Sequence, residues 1–406
     1  MSTPPRIARL AALCDKPERL MLGLMSGTSL DGLDLALCRV TGHGRATRAE
    51  LLHAVTEPYG AEERARLRAL AFGETVSLRG LTIAHAWLAE GHARSVLAAL
   101  ESWGVAPDQV DCLASHGQTL YHAPESWQEP GGSGAAQSAT LQIGDGDRLA
   151  VGTGILTVSD FRQKELAGGG QGAPLAPYAE ALLFGGAASP RILLNLGGIA
   201  NFNWLPAAQD NHVPVCGDTG PGNTLLDLAV RRCFPEREEG YDRDGALAGA
   251  GQVNQPLLAR LKGHSYFKLP CPKSTGQETF GETYLEQALA TLPDGGRGIA
   301  PEHLLATLTR LSAETVAETL RREISDLRGV EIYTSGGGAR NGTLMRWLAE
   351  ALPELQWRES ASLGLPPDFK EAMLFAVLAN ETLCGEGFPA RGDGRPIGFG
   401  KISFPD

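Results

Sequence analysis

Asp218 lies in Cys216–Asn223 (CGDTGPGN), where residue types and spacing could do chemistry. Its carboxylate stands where a strand ends, and Gly220 and Gly222 leave its surroundings open to a ligand. Asn223 and Thr224 then offer N-cap chemistry to a following helix. An aspartate carboxylate is ionised at neutral pH, so it can serve as a general base beside phosphates held at a helix N-terminus. The same residues also read as an Asx-turn bent by Pro221. A second chemically suggestive stretch is Leu22–Asp34 (LGLMSGTSLDGLD), which carries Ser26, Thr28, Ser29 and Asp31 at its bend. Backbone N–H groups and hydroxyls in such a loop can cradle phosphate oxygens, and an Asp can reach a phosphate-bound metal. A tight hairpin whose Ser and Asp cap their own turn is the plainer reading.

Other segments are weaker alone. Ser115–Pro124 (SHGQTLYHAP) places His116 and Gln118 after a short buried strand, where a histidine is more often structural than catalytic. His116 and His122 have no carboxylate at a metal-binding spacing, which argues against zinc. Asp160–Arg162 (DFR) and Lys273–Gly276 (KSTG) could hold substrate or phosphate, or form surface turns. Glu371 begins the last helix, where it complements the helix dipole or binds a sugar. No Gly-x-x-x-x-Gly-Lys-Ser/Thr occurs, which excludes a P-loop. Ala167–Pro174 (AGGGQGAP) lacks the glycine spacing and acidic partner of a dinucleotide site.

The elements that must position these groups alternate between β and α. Strands are expected at Leu20–Met25, Leu33–Val40 and Leu51–Pro58, then helices at Ala61–Ala71 and Leu78–Ser102 and a buried strand near Cys112–Ser115. Glu125–Ala139 is rich in Pro, Gly and Ser and reads as an exposed loop. A β segment near Thr153–Asp160 opens the second lobe in this reading. There, Arg191–Gly198 and Val330–Gly338 are strands running into glycines. Asn223–Phe234, Asn254–Lys262, Glu278–Leu292, Pro301–Leu327, Asn341–Leu352 and Lys370–Cys384 have helical spacing. The expected organisation is an N-terminal extension over 1–20, lobe I over 21–152 and lobe II over 153–369, with residues 370–406 returning to lobe I. Two related α/β lobes around a ligand cleft fit this pattern.

Composition sets the outer bounds. The chain has 406 residues, 43% hydrophobic and 20% charged, enough for two domains with a sizeable core. A net charge of −11 without a dense Lys/Arg run argues against nucleic acid as partner. Seven cysteines without a Cys-x-x-Cys suggest reduced thiols and a cytoplasmic location. Residues 1–20 lack the apolar core of a signal peptide, and no run of about 18 apolar residues suggests a membrane span.

Taken together and in order, the segments resemble the 1,6-anhydro-N-acetylmuramic acid kinases, a branch of the sugar kinase/Hsp70/actin superfamily. The matching pieces are LGLMSGTSLDGLD, SHGQT, LQIGDGDRLA, TGILTVSDFRQKELAGGGQGAPLAP, NLGGIANFN, DTGPGN, YDRDGALAGAGQVN, PKSTG, SGGGARN and EAMLFA, spanning roughly residues 20–400. The first 20 residues and the Gly/Ser-rich stretch near 126–138 read as departures. The resemblance implies a two-lobed actin/sugar kinase-like ATPase fold with an interlobe nucleotide cleft. It implies ATP and Mg²⁺ as cofactors, an amino sugar as substrate, a role in peptidoglycan recycling, and a homodimer as the family's common state.

Carried onto this sequence, the resemblance makes Asp218 the catalytic base. Gly27, Thr28, Ser29, Leu30, Asp31, Gly32, Leu33 and Asp34 form the first phosphate loop, with Asp31 toward the metal. Gly197, Gly198, Gly220, Gly222 and Asn223 form further phosphate contacts, and Gly336, Gly337 and Asn341 an adenosine-side turn. His116, Asp160, Arg162 and Glu371 are the sugar candidates. The implied reaction couples hydrolysis of the anhydro bridge to phosphorylation of O6. A kinase for another amino sugar, or an ATP-switched chaperone-like or filament-forming protein, are the alternatives.

Overall fold

The computed structural model describes residues 4–27, 30–73, 75–127, 137–170, 172–173, 175–210, 214–277, 279–364, 366–389 and 396–406. The chain divides into two compact units, one of residues 1–183 and 368–406 and the other of residues 184–367.

The first unit opens with helix α1 (Pro5–Cys14), strands β1 (Glu18–Ser26), β2 (Gly32–Thr41) and β3 (Arg48–Pro58), and helices α2 (Ala61–Phe72) and α3 (Leu78–Trp103). Strands β4 (Cys112–Trp127) and β5 (Gln137–Ile143), helix α4 (Gly146–Thr153), strand β6 (Thr157–Ser159) and helices α5 (Arg162–Ala167) and α6 (Ala176–Phe184) follow. The second unit contains β7 (Arg191–Leu196), β8 (Ile199–Leu205), β9 (Val215–Pro221), α7 (Thr224–Cys233), α8 (Ala246–Ala250), α9 (Gln255–Lys262) and α10 (Glu282–Ala290). It closes with α11 (Pro301–Glu323), β10 (Glu331–Ser335), α12 (Gly342–Ala351) and β11 (Gln356–Glu359). Helix α13 (Lys370–Cys384) and strands β12 (Phe388–Pro389), β13 (Pro396–Ile397) and β14 (Lys401–Ser403) belong to the first unit.

Sheet order reveals a repetition that sequence identity hides. In the first unit the strands run β14-β6-β4-β1-β2-β3, with β5 beside β4; in the second they run β11-β10-β7-β8-β9. Each unit therefore has three consecutive antiparallel strands, with the first of them also paired to a parallel strand that carries a further parallel one. This duplicated α/β arrangement is the actin/sugar kinase-like class that the sequence led us to expect.

The period-two pattern of β2 is half of its burial. Leu33, Leu35 and Leu37 enter a core with Leu88, Val96 and Leu100 of α3, while Ala36 and Cys38 on the other face are also fully buried. Helix α13 covers that second face, and every residue from Ala372 to Glu381 is buried. The contact is so close that a Cβ on Gly23 would lie 1.8 Å from the Ala372 carbonyl oxygen. Burial of each such leucine stabilises by roughly 1.5–3 kcal/mol. The second unit has its own core, in which Ile192, Leu194 and Leu196 of β7 pack with Val316 and Leu320 of α11 and Leu344 and Leu348 of α12.

The structure corrects several expectations. Residues 153–183 stay with the first unit, because β6 pairs with β4 on one side and β14 on the other. The N-terminal extension ends sooner than residue 20, since β1 begins at Glu18. Strand β4 does not stop at Ser115; it runs on to Trp127 through irregular pairing with β5. The stretch read as a loop over 125–139 is therefore strand at both ends, and residues 128–136 lie outside the described residues. Among the described residues, no helix is long and apolar enough to cross a membrane.

Candidate active site

In the second unit, three glycine-rich turns meet at the start of α7. The β7–β8 hairpin accepts backbone bonds from the turn that follows β9: Gly222 N–H and Thr224 N–H donate to Gly198 O, and Asn223 N–H donates to Gly197 O. A Cβ on Gly222 would sit 2.3 Å from the Gly197 oxygen, so only glycine permits this approach. Asn223 does not cap α7 with its side chain; its Nδ2 donates to Leu196 O at 3.0 Å, bridging turn to strand. From the other side, the Ser312 hydroxyl of α11 donates to Gly222 O at 2.9 Å, and Ser335 Oγ donates to Asn195 Oδ1 at 3.3 Å. Together these bonds lock the turns around the N-terminus of α7; the N–H groups of Gly222, Asn223 and Thr224 are spent on them, and the dipole of α7 favours negative charge there.

Asp218 lies four residues before that turn, half-buried in β9. Thr275 N–H donates to its Oδ2 at 2.8 Å, its own N–H donates to Lys273 O at 2.9 Å, and the Tyr266 hydroxyl donates to its carbonyl at 3.0 Å. The KSTG segment is thus a brace for Asp218. Lys273 itself turns inward: it is buried, its Nζ donates to Tyr266 O at 3.1 Å, and it lies over the Tyr266 ring.

A cavity of about 520 Å³ opens beside the same turns, lined by Asn223, Asp227, Asp242, Arg243, Arg340 and Asn341 among others. Asn341 Oδ1 accepts from Leu344 N–H and caps α12, while Asp242 accepts from Leu247 N–H and Ala248 N–H at the start of α8. Burial pushes the Asp227 carboxyl up to about 6, with Arg231 opposing.

In the first unit, His116, Arg162 and Glu371 come together. The His116 ring is buried; Nδ1–H donates to Gly117 O at 2.9 Å, and Nε2 accepts from Arg162 Nε at 3.0 Å. Burial, with the Arg162 charge adding, pushes this imidazole down to about 3, so it stays neutral. Arg162 also donates through Nη1 to Gly172 O at 2.7 Å. Burial lowers the guanidinium to about 10, against the pull of Glu371 and Glu165. Glu371 keeps solvent access at the start of α13, yet desolvation holds its carboxyl above the usual range, against Lys370 and Arg162. Asp160 adopts a left-handed φ of 55° and is ion-paired with Lys401, beside a cavity of about 170 Å³ that His116 and Asp160 help to line.

The first loop divides by role. Thr28 and Ser29 lie outside the described residues. Leu30 and Leu33 are core side chains, which leaves only their backbone to meet a ligand. Asp31 is exposed, and its carbonyl accepts from Tyr59 N–H at 3.0 Å. Burial holds the Asp34 carboxyl above its usual value; the Thr56 hydroxyl bond opposes this, and the charges of Asp31 and Asp368 add to it. Sequence reasoning missed Thr275 as a brace, although KSTG was noted, and it missed Ser312 and Tyr266, which no local pattern marks.

The family model described as anhydro-N-acetylmuramic acid kinase matches residues 19–393. A protein of that name from Pseudoalteromonas atlantica is 44% identical over 404 residues, covering 98% of this chain and 99% of its own length. That alignment takes in most of the N-terminal stretch read as a departure. Another, from Caldanaerobacter subterraneus subsp. tengcongensis, is 37% identical, covering 98% and 100% of the two chains. Among solved structures, the ROK hexokinase from Thermus thermophilus is similar at 16% identity and a TM-score of 0.36, covering 89% of this chain and 98% of that one. On the family match and these identities, the chain belongs to the anhydro-N-acetylmuramic acid kinase family and is a phosphotransferase acting on an alcohol group.

Proposed function

We propose that this kinase opens 1,6-anhydro-N-acetylmuramic acid with water and phosphorylates O6 from ATP, giving N-acetylmuramic acid 6-phosphate and ADP. The observation that carries this reading is the setting of Asp218, a carboxylate held by the Thr275 N–H beside three glycine turns at the start of α7. Water attacks C1 and gives its proton to the Asp218 carboxylate as the C1–O6 bond breaks. O6 forms the new bond to the γ-phosphorus, the bridging bond breaks, and ADP leaves. General-base help of this kind is worth about 10²–10⁴ in rate.

The turns at Gly197, Gly198, Gly220, Gly222 and Asn223 border the phosphates at the positive end of α7 in this reading, and Gly336 adjoins Gly337 and Asn341, which line the cavity of about 520 Å³ taken by the nucleoside. In the first unit, the Gly27–Asp34 stretch serves phosphate, while His116, Asp160, Arg162 and Glu371 serve the sugar. Arg162, held by His116 and Gly172, presents a positive charge suited to the carboxylate of a muramic acid. Mg²⁺ suits the carboxylates of Asp31 and Asp34, hard oxygen donors; burial first, and the Asp31 charge in addition, hold the Asp34 carboxyl above its usual value. Bound there, it would neutralise phosphate charge. Recycling of cell-wall sugar in the cytoplasm, where ATP is at hand, is the matching role.

Incubation with ATP, Mg²⁺ and the anhydro sugar in ¹⁸O-labelled water tests the reading. Label at C1 together with phosphate at O6 supports it. Phosphorylation of an already open amino sugar, with none of the anhydro form, overturns it.

A further inference from the structure

Four side chains in the first unit form a directed hydrogen-bond chain. Ser26 Oγ donates to Gln118 Oε1 at 2.6 Å, the Tyr59 hydroxyl donates to Ser26 Oγ at 2.8 Å, and the Tyr59 oxygen lies 2.8 Å from His92 Nε2. Chemistry fixes every direction. Gln118 Nε2 donates to Thr119 O at 3.2 Å, so its other end is the oxygen, which only accepts. The Ser26 hydrogen must go to Gln118, and Ser26 must receive the Tyr59 hydrogen. The Tyr59 oxygen then accepts, so His92 carries its hydrogen on Nε2.

Two observations suggest that this chain has a task beyond filling the core. The first concerns His92. It is 2% exposed, burial pushes its imidazole down to about 4, and its Nδ1 has no hydrogen-bond partner among the described residues. Leaving a buried polar atom unpaired costs stability. Other buried positions on α3 are apolar, including Leu88, Ala89, Ala93 and Val96. A histidine here is costly to stability, and the polar contact it makes is the one to Tyr59.

The second observation concerns register. The parallel ladder between β1 and β4 slips where the chain reaches Ser26: Leu24 faces Ser115, but Ser26 faces Gln118. The extra residue of β4 falls at His116–Gly117, where Gly117 has φ of 72°. A bulge re-aims the side chain it carries and weakens the ladder beyond it. The Ser26–Gln118 bond restores the register on the far side of the bulge, and Tyr59 and His92 back that bond from behind.

We propose that Tyr59 and His92 are positioning residues that lock Ser26, which leads into the Gly27–Asp34 stretch, to Gln118, at the foot of the His116 bulge. The phosphate-side and sugar-side segments of the first unit thereby keep one fixed spacing. Neither residue touches substrate, and the inference rests on the reading of those two segments given above.

Steady-state kinetics with both substrates varied test this in Tyr59→Phe, His92→Leu and His92→Gln. Tyr59→Phe and His92→Leu are expected to lower kcat/KM for ATP and for the anhydro sugar together, about fivefold to tenfold, as the loss of one hydrogen bond implies. His92→Gln, whose amide can donate to the Tyr59 oxygen, is expected to return both values to within about twofold of wild type. A fall in melting temperature with both kcat/KM values unchanged overturns the proposal, as does loss confined to one substrate. If His92→Leu does not fold, Tyr59→Phe carries the test alone. Ring ¹⁵N shifts of His92 give a readout independent of turnover: the Nε2–H tautomer in wild type and its loss in Tyr59→Phe support the chain even if the assigned sugar is wrong. The Nδ1–H tautomer in wild type overturns it.

Discussion

Asp218→Asn separates the base from everything else that Asp218 does. The backbone bonds of residue 218, from its N–H to Lys273 O and to its carbonyl from Tyr266, do not depend on the side chain. An asparagine keeps an oxygen for the Thr275 N–H, now 2.8 Å from Oδ2, and takes the charge off that bond. That difference is about 1 kcal/mol of stability. What the amide cannot do is accept a proton from water at neutral pH. Loss of a general base lowers kcat by about 10²–10⁴, equivalent to roughly 2.7–5.5 kcal/mol of barrier. Sugar-dependent ADP release measures kcat, calorimetric titration of ATP measures affinity, and a thermal melt checks the fold. The expected outcome is a kcat loss in that range with ATP affinity within about threefold of wild type. A variant that keeps more than a tenth of its turnover, or that loses ATP affinity in step with turnover, refutes Asp218 as base.

Three further outcomes follow from the packing. Gly23→Ala puts a Cβ 1.8 Å from the Ala372 oxygen, so α13 must lift from β1; calorimetry should show at least about 3 kcal/mol of destabilisation, and a loss under 1 kcal/mol would contradict the close approach. Asn380→Leu removes the acceptor that receives Arg19 Nε at 2.6 Å and the donor to Gly42 O; with Arg19 buried, urea unfolding should show a cost of about 2–3 kcal/mol, more than an exposed substitution gives. His92, with its imidazole at about 4, and His116, at about 3, sit below the ordinary value near 6.5, so the unfolded chain binds protons that the folded chain refuses. Stability is therefore full above about pH 6.5 and falls as pH drops toward 4; His92→Gln should flatten that acid limb by up to about 3 kcal/mol, read from denaturant midpoints across pH.

Much of the fold could be read because its signals are local. Lys370–Cys384 is apolar enough around its whole circumference to mark a buried helix, and the structure gives that helix the same ends. The domain boundary could not be read in this way. Strand β6 is three residues long, and nothing in Thr157–Ser159 says which sheet it joins; pairing with β4 and β14 decides that. The bulge at His116–Gly117 breaks the period of β4, which is why a strand ending at Trp127 read as one ending at Ser115. In the site, an aspartate followed by glycines was visible and Asn223 was named with them, but its bridging role was not: an Asn before a helix reads as a cap. Its donation to Leu196 O arises only once β7 lies beside it. Ser312 sits within a long helix and reaches Gly222 from 90 residues away, so no spacing could reveal it.

The two units hold their candidate groups by different means, and this predicts where the chain tolerates change. Asp218 is braced chiefly by backbone, through the Thr275 N–H and the Lys273 carbonyl. The glycine turns around α7 are likewise joined N–H to carbonyl. In the first unit the corresponding work falls to side chains. Both ring nitrogens of His116 are committed, one to Gly117 O and one to Arg162, so this histidine orients a guanidinium and has no lone pair left to act as a base. Ser26, Gln118, Tyr59 and His92 are joined in the same way, through groups that one substitution removes. A brace made of backbone survives a change of side chain as long as the chain path is kept, whereas a chain of side-chain bonds fails at its weakest member. Substitutions at position 275 that preserve the backbone should therefore disturb the orientation of Asp218 less than single losses at 116 or 118 disturb the groups assigned to the sugar.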